Sequence, residues 1–279
     1  MGEPVRPPEC SILVRELNLE GPLCQKCISK YFFSFWHDDH PKGCWIAHTA
    51  LTALECLRLR PRLEKPLRRL KIAWDEVEAL AVLHDTGKLT EFYADRRKRW
   101  RRVGHSVFSM VIAANTYGRT YRVARAAFLH HEAFHWSEVI KRGLEHIGNT
   151  IKSWHRTAII RGFRLRDGYE EAVEYLREFL NALGIRELDW ILDELMRRRI
   201  YDLRGRMPDE LISYIDAKDI ALYWVLYLAD NRAASARDGP EGYWRYRLLD
   251  IVSECRDPAE LTERLLKAKL HIALTAPVI

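Results

Sequence analysis

The chain has 279 residues, 48% hydrophobic and 30% charged, which is the composition of an ordinary globular protein with enough length to bury a full core and excludes low-complexity or disordered classes. No apolar run approaches the roughly 20 residues of a membrane span, and Met1 to Leu13 has neither a basic n-region nor an apolar h-region, so no membrane contact and a cytoplasmic location are expected. The net charge of +6 and pI near 9.0 favour a polyanionic partner, and a single glutamine (Gln25) among many charges suits a thermophile.

In chain order, Trp45 to Leu59 carries apolar residues at helical spacing and is expected to end before Pro61. Asp75 is an expected N-cap for a helix over Glu76 to Leu83, with Val77, Leu80 and His84 on one face. Gly104 to Thr116 reads as an apolar helix closed by a turn at Gly118, and Tyr121 to Glu132 as a second one rich in alanine. Residues 148 to 168 are irregular and suit a loop or short hairpin. Helices return at Glu170 to Leu183 and Glu187 to Arg199. The longest is expected from about Asp209 to Arg237, between Pro208 and Gly239-Pro240. A last helix starts near Asp257-Pro258, with Asp as N-cap and Pro in the first turn. No repeat and no Pro/Ser-rich linker divides the chain. The expectation is one all-α domain over residues 1–279, a helical bundle, with 1–44 as an N-terminal extension and 148–208 as a candidate insertion.

Polar residues set into these apolar helices carry the chemistry: His48, the pair His84-Asp85, His105, the pair His130-His131, and Asp230. Singly, each has an ordinary explanation: a satisfied core histidine, a half-exposed pair, a cap or a salt-bridge partner. Together they are harder to explain that way. His84-Asp85 ends an apolar helix and leads into Thr86-Gly87-Lys88. A buried Asp beside a His costs stability unless a cation compensates it, and a divalent metal would do so. Several imidazoles and two carboxylates buried in one bundle make sense if they share metal ions.

The order His, His-Asp-x-Gly-Lys, His, His-His, Asp, held by His48, His84 to Lys88, His105, His130-His131 and Asp230, resembles the extended signature of HD-superfamily phosphohydrolases. With its added His and its His-His pair it looks most like the HD nuclease of CRISPR-Cas type I systems. The chain contains no GxxxxGK[ST] loop, so it is similar to the stand-alone form of that nuclease rather than the helicase fusion. The resemblance covers about residues 45 to 135 and 209 to 238. It implies an HD-domain helical bundle in which His48, His84, Asp85 and Asp230 hold one metal ion, His105, His130 and His131 hold a second, and Asp85 bridges them. Lys88 is then the catalytic cation beside the scissile phosphate. Leu228 to Ser235 resembles the family's closing Ala-Asp-x-x-Ala-Ser motif, with Asp216 and Asp219 upstream as rivals for the role of Asp230.

Two ions about 3.5–4 Å apart can activate water and stabilise the leaving oxygen of a phosphodiester. So many imidazoles suit Mn²⁺, Fe²⁺, Co²⁺ or Ni²⁺ better than Mg²⁺. The implied activity is metal-dependent cleavage of single-stranded DNA in CRISPR interference, with a separate CRISPR helicase and the guide-RNA surveillance complex as partners. Alternatives on the same scaffold are a nucleotide phosphohydrolase, a cyclic-nucleotide phosphodiesterase, or a nuclease-dead subunit of a CRISPR complex. The run Arg96-Arg97-Lys98-Arg99-Trp100-Arg101-Arg102, between Asp85 and His105, favours a polymer: cations track a phosphate backbone and the Trp can stack on a base. A solvated basic loop is the competing explanation. Arg197-Arg198-Arg199 reads as a helix end complementing the dipole.

Cys24-x-x-Cys27 admits a zinc site completed by Cys10, His37, His40 or Cys44, a disulfide, or plain thiols, the last being preferred because the spacing of the second half fits no common zinc pattern. Cys56 and Cys255 have no visible partner in the sequence. His37, His40, His135, His146, His155 and His271 are expected to carry no catalysis, His135 lying nearest to a ligand position. Tyr223, Trp224 and Tyr227 read as core packing of the long helix.

Overall fold

The computed structural model describes residues 7–16, 32–37, 40–94, 105–130, 163–201 and 215–239. Among them the chain is mostly helical, as expected for an all-α fold. The helices are α1 (Pro8–Glu16), α2 (Trp45–Arg69), α3 (Trp74–Leu83), the single turn α4 (Glu91–Ala94), α5 (His105–Thr116), α6 (Arg122–Leu129), α7 (Tyr169–Ala182), α8 (Asp189–Arg197) and α9 (Ala217–Ser235). A 3₁₀ turn, Thr86–Leu89, follows α3, and another, Ala236–Asp238, follows α9.

The centre is α2 packed on α9, with α3 and α6 against both α9 and each other, and α5 lying on α6 and on the first 3₁₀ turn. Fully buried Trp45, Ile46, Leu51 and Leu59 of α2 meet Val77, Leu80 and Leu83 of α3 and Leu222, Leu226 and Ala229 of α9 in one continuous apolar core. Burial on this scale is the main stabilising contribution, at about 25 cal/mol per Å² of apolar surface. Tyr223 is buried in that core with Trp224 and Tyr227 packed beside it, as the aromatic stripe leads one to expect.

Several boundaries differ from the expectation, each for a local reason. Helix α2 does not stop before Pro61 but runs through Pro61 and Pro66 to Arg69. Both prolines lie on its exposed side, where a lost backbone hydrogen bond is replaced by water. The apolar face continues beneath them through Leu59, Leu63 and Leu67, at i, i+4 spacing. The N-cap of α3 is Ala73 rather than Asp75: the Glu76 carboxylate reaches back to accept from the Ala73 amide at 3.0 Å, while Asp75 accepts from Arg119 at 3.1 Å. Helix α9 begins at Ala217, where the Asp216 carboxylate accepts from the amides of Lys218 and Asp219 at 2.8 and 2.9 Å.

Two small antiparallel ribbons complete the description. Strands β1 (Phe35–His37) and β2 (His40–Lys42), within the N-terminal extension, form a hairpin with Phe35 opposite Lys42. Strand β3 (Phe163–Arg164) pairs with β4 (Ile200–Tyr201) across the intervening α7 and α8. Residues 148–162 lie outside the described residues, as does the helix expected near Asp257-Pro258. Helix α7 packs on α2 and α8 on α5, and their apolar residues Leu176, Phe179, Ile191 and Leu195 belong to the common core. No helix among the described residues is long and apolar enough to cross a membrane.

Candidate metal centre

The His84-Asp85 pair sits where α3 gives way to the 3₁₀ turn, and the local hydrogen bonds set its geometry. Thr86 Oγ1 donates to the Leu83 carbonyl at 2.8 Å, the Lys88 amide to the Asp85 carbonyl at 3.0 Å, and Thr90 Oγ1 to the Gly87 carbonyl at 2.6 Å. From α2, the buried Trp45 indole donates to the Asp85 carbonyl at 3.0 Å. From α5, Ser109 Oγ accepts from the Gly87 amide at 2.9 Å. Gly87 does not have positive φ; its role is proximity, since a Cβ there would lie 2.0 Å from the His105 carbonyl oxygen. The turn thereby clasps the start of the helix that carries His105.

Asp85 divides its carboxylate between two histidine groups. Oδ2 lies 3.3 Å from His48 Nε2 and 3.5 Å from His84 Nε2, and accepts from Lys88 Nζ at 2.5 Å. Oδ1 lies 2.8 Å from His105 Nε2 and 3.3 Å from His130 Nε2. Asp230, arriving from α9, places Oδ1 2.9 Å from His48 Nε2 and 3.5 Å from His84 Nε2. The ligand atoms of His48, His84 and Asp85 form one compact group able to hold a metal ion, and those of Asp85, His105 and His130 form another. Asp85 is common to both.

The imidazoles are held in the form that binds metals. His84 Nδ1 lies 2.8 Å from the Ala81 carbonyl and His130 Nδ1 2.5 Å from the Ala127 carbonyl, each three residues back on its own helix. Those carbonyls accept only from a protonated Nδ1, so both Nε2 lone pairs face the cluster. His84 Nε2 is fully buried and makes no hydrogen bond. Burial, together with the charge of Lys88, pushes the His105 imidazole down to about 3 and keeps it neutral. For Asp85, burial alone would raise the pKa, but the Lys88 ammonium, helped by a hydrogen bond from His105, outweighs it and holds the carboxyl well below the usual range. Asp230 behaves alike, its burial outweighed foremost by the hydrogen bond from His48. Two anionic carboxylates and inward-facing imidazole nitrogens in a buried pocket are the donor set of a mixed nitrogen and oxygen metal site. The observation that tests the fit is the orphaned Nε2 of His84, a polar atom whose burial costs stability unless a cation meets it.

Asp230 thus meets the cluster, and Asp216 and Asp219 do not: Asp216 caps α9, and buried Asp219 is paired with Arg125 at 2.7 Å. Of the expected ligands, His48, His84, Asp85, His105, His130 and Asp230 converge, with Lys88 among them. His131 and the run Arg96 to Arg102 lie outside the described residues, as do His135, His146, His155, His271, Cys24, Cys27 and Cys255. The zinc alternative at Cys24-Cys27 therefore concerns residues beyond the description; Cys10 and Cys44 are buried, and burial pushes the free Cys56 thiol up. Sequence reading missed Trp45 and Ser109. Ser109 could have been found one turn beyond His105 on the same helix face. Trp45 carries no local signal, because its partner is a backbone carbonyl on another helix.

No family model matches the chain, and neither a curated protein nor a solved structure matches it.

Proposed function

We propose that the chain is a metal-dependent phosphodiester hydrolase of the HD superfamily, acting on single-stranded DNA as the nuclease of a CRISPR type I system. The observation that carries the reading is Asp85, whose two oxygens serve two separate histidine groups. A single buried carboxylate shared in this way is the arrangement a two-ion centre needs. In this reading His48, His84, Asp85 and Asp230 hold one divalent ion, and Asp85, His105 and His130 the other, with His131 as a further ligand. Bound ions supply Lewis acidity to the phosphoryl oxygens and make water acidic enough to ionise near neutral pH.

The protein's own groups do the rest. The Ala81 and Ala127 carbonyls fix the tautomers of His84 and His130, so no proton competes at either Nε2. Lys88 balances the Asp85 charge and adds positive potential for a phosphate arriving at the cluster. Asp230, one-fifth exposed, is the most open of these side chains, so substrate approaches past it. Imidazole-rich ligation favours Mn²⁺, Fe²⁺, Co²⁺ or Ni²⁺ over Mg²⁺. A helicase subunit and the guide-RNA surveillance complex are the partners this role requires.

The deciding experiment compares wild type with Asp85→Ala on circular single-stranded DNA, a dNTP and a cyclic nucleotide, each with Mn²⁺, Co²⁺, Ni²⁺ and Mg²⁺. Cleavage of the DNA alone, lost in Asp85→Ala and weakest with Mg²⁺, is expected. Hydrolysis of only the dNTP or cyclic nucleotide would move the substrate to a small molecule. Equal activity of both proteins would remove the hydrolase reading.

A further inference from the structure

Beside the metal cluster two guanidinium groups have no carboxylate within ion-pair distance among the described residues. The first is Arg166, just after β3. Its backbone amide donates to the Leu89 carbonyl at 2.9 Å, which ties it to the turn that follows His84-Asp85. Its Cζ lies 4.5 Å from the Phe32 ring centroid and 5.8 Å from that of Phe33. Phe33 in turn stacks on Tyr93 at 5.2 Å, and Tyr93 stands edge-on to His105 at 5.3 Å. A continuous ladder of rings therefore leads from a metal-cluster histidine to Arg166.

The second is Arg237, on the 3₁₀ turn after α9 and seven residues beyond Asp230, hence on the same side of that helix. Its Cζ lies 4.6 Å from the Phe35 ring centroid, and its Nε is buried without a hydrogen bond. The Tyr93 phenol donates to the Ser34 carbonyl at 3.3 Å, which ties the ring beside His105 to the segment that bears Phe33 and Phe35. Both cations thus sit on the Tyr93 side of the site, carried by the same short segment, Phe32 to Phe35.

Both arginines are half-buried, and withdrawing part of a guanidinium from water without a counterion is costly. Stacking on an aromatic face offsets part of that cost. Burial pushes Arg166 down to about 10, as expected of a cation short of both water and an anion. The fully buried Glu9 is pushed up by burial, with the Arg237 charge among the influences opposing that shift. Two guanidinium forks stacked on rings, with no carboxylate partner among the described residues, are suited to phosphate oxygens.

We propose that Arg166 and Arg237 form a phosphate clamp beside the metal centre, gripping the backbone phosphates next to the scissile one on a single-stranded nucleic acid. This rests on the phosphodiester hydrolase reading for its substrate, and it adds a second binding element, separate from the Arg96 to Arg102 run, that fixes the strand's register against the cluster.

The test uses the full chain loaded with Mn²⁺ and a fluorescent phosphorothioate 12-mer of oligothymidylate, with binding followed by anisotropy across salt concentration. Arg166→Gln and Arg237→Gln keep a polar stem on each ring and remove the charge. Each is expected to weaken binding about tenfold and to reduce the slope of log K against log salt by about 0.7, the contribution of one phosphate contact on a single strand. Arg→Lys at either position should keep the wild-type slope. Metal content and thermal midpoint are measured alongside. Wild-type affinity and slope in the Gln variants would overturn the clamp, and so would failure of wild type to bind the 12-mer. Should the Gln variants lose fold or metal, Arg→Met replaces them, and its failing too assigns the arginines to packing. Cleavage of the unmodified 12-mer by wild type is scored separately. Absence of cleavage with binding lost in the variants keeps the clamp and removes the hydrolase reading; cleavage with unchanged binding does the reverse.

Discussion

Gly87 packs directly onto the backbone of His105, so closely that a Cβ at position 87 would stand 2.0 Å from the His105 carbonyl oxygen and 2.9 Å from the Ser109 amide nitrogen. Both neighbours are backbone and cannot rotate away. The glycine of His-Asp-x-Gly-Lys is therefore the contact that brings the Asp85 turn against the helix bearing His105. Gly87→Ala should push α5 outward, costing about 3 kcal/mol, the upper end for overpacking, and lowering metal content. Gly118 is the control, since a Cβ there meets nothing within 4 Å and only its φ of +60° is strained; Gly118→Ala should cost about 1 kcal/mol and leave metal content alone. Urea unfolding and elemental analysis report both. Equal effects at the two positions would remove this role for Gly87.

The shared carboxylate predicts an asymmetric pattern of metal loss. His48→Ala should release one ion and keep the other, His105→Ala the converse, and Asp85→Ala should release both. Activity should fall in each by at least about a hundredfold, since even residues that merely orient metal ligands cost up to that much. Elemental analysis after desalting is the measurement; loss of both ions from each of the three variants would contradict separate groups.

Asp219 is fully buried and held by Arg125 at 2.7 Å, away from the cluster. Removing one partner of a buried pair leaves an uncompensated charge, so Arg125→Ala should cost about 3–5 kcal/mol. Adding Asp219→Asn should recover part of that loss. Metal stoichiometry is expected to stay at the wild-type value throughout, whereas Asp230→Asn should reduce it with little loss of stability.

Glu78 on α3 provides a pH signature. Burial, with the charge of Glu187 adding to it, pushes its carboxyl up to about 7 against the pull of Arg60 at 3.5 Å. In the unfolded chain the group titrates near 4.3. Between those values the folded state binds the extra proton, so stability falls as pH rises through that window and the loss is complete above about 7. Glu78→Gln should remove this fall. Its stability relative to wild type should be near zero at pH 4.5 and higher by about 2–3 kcal/mol at pH 8.5. Urea unfolding at the two pH values checks it, and a pH-independent difference would count against it.

The basic run has its own expectation. Replacing Arg96, Arg97, Lys98, Arg99, Arg101 and Arg102 with glutamine should weaken single-strand binding and flatten its salt dependence, and Trp100→Ala should weaken binding by about 1–3 kcal/mol with the salt slope unchanged. Binding that matches wild type in both would make the run a solvated loop.

Much of the centre could be read along the chain. A histidine or aspartate in an apolar helix is a local anomaly, visible without knowing what lies opposite. The 3.6-residue period that exposes it also places the helix, so α3, α5 and α6 were expected within a few residues of where they lie. The pair His84-Asp85 and the glycine behind it are contiguous, and their turn is made by hydrogen bonds within Leu83 to Thr90. What spans the chain was decided only by packing. Asp216, Asp219 and Asp230 share one helix and one residue type, and they differ in which neighbour each faces: free backbone amides, Arg125, or His48. Pro61 looked like a terminus because its ring costs a hydrogen bond, yet it falls on the solvent side of α2, where that cost is small beside the burial of Leu59 and Leu67. Trp45 on Asp85, Gly87 on His105, and Arg166 and Arg237 on the Phe32 to Phe35 rings are contacts between distant segments. The sequence by itself determined which side chains are candidates to meet a cation; the tertiary structure decided which of them stand close enough to share one, because a ligand set is a matter of distances and no local pattern contains those.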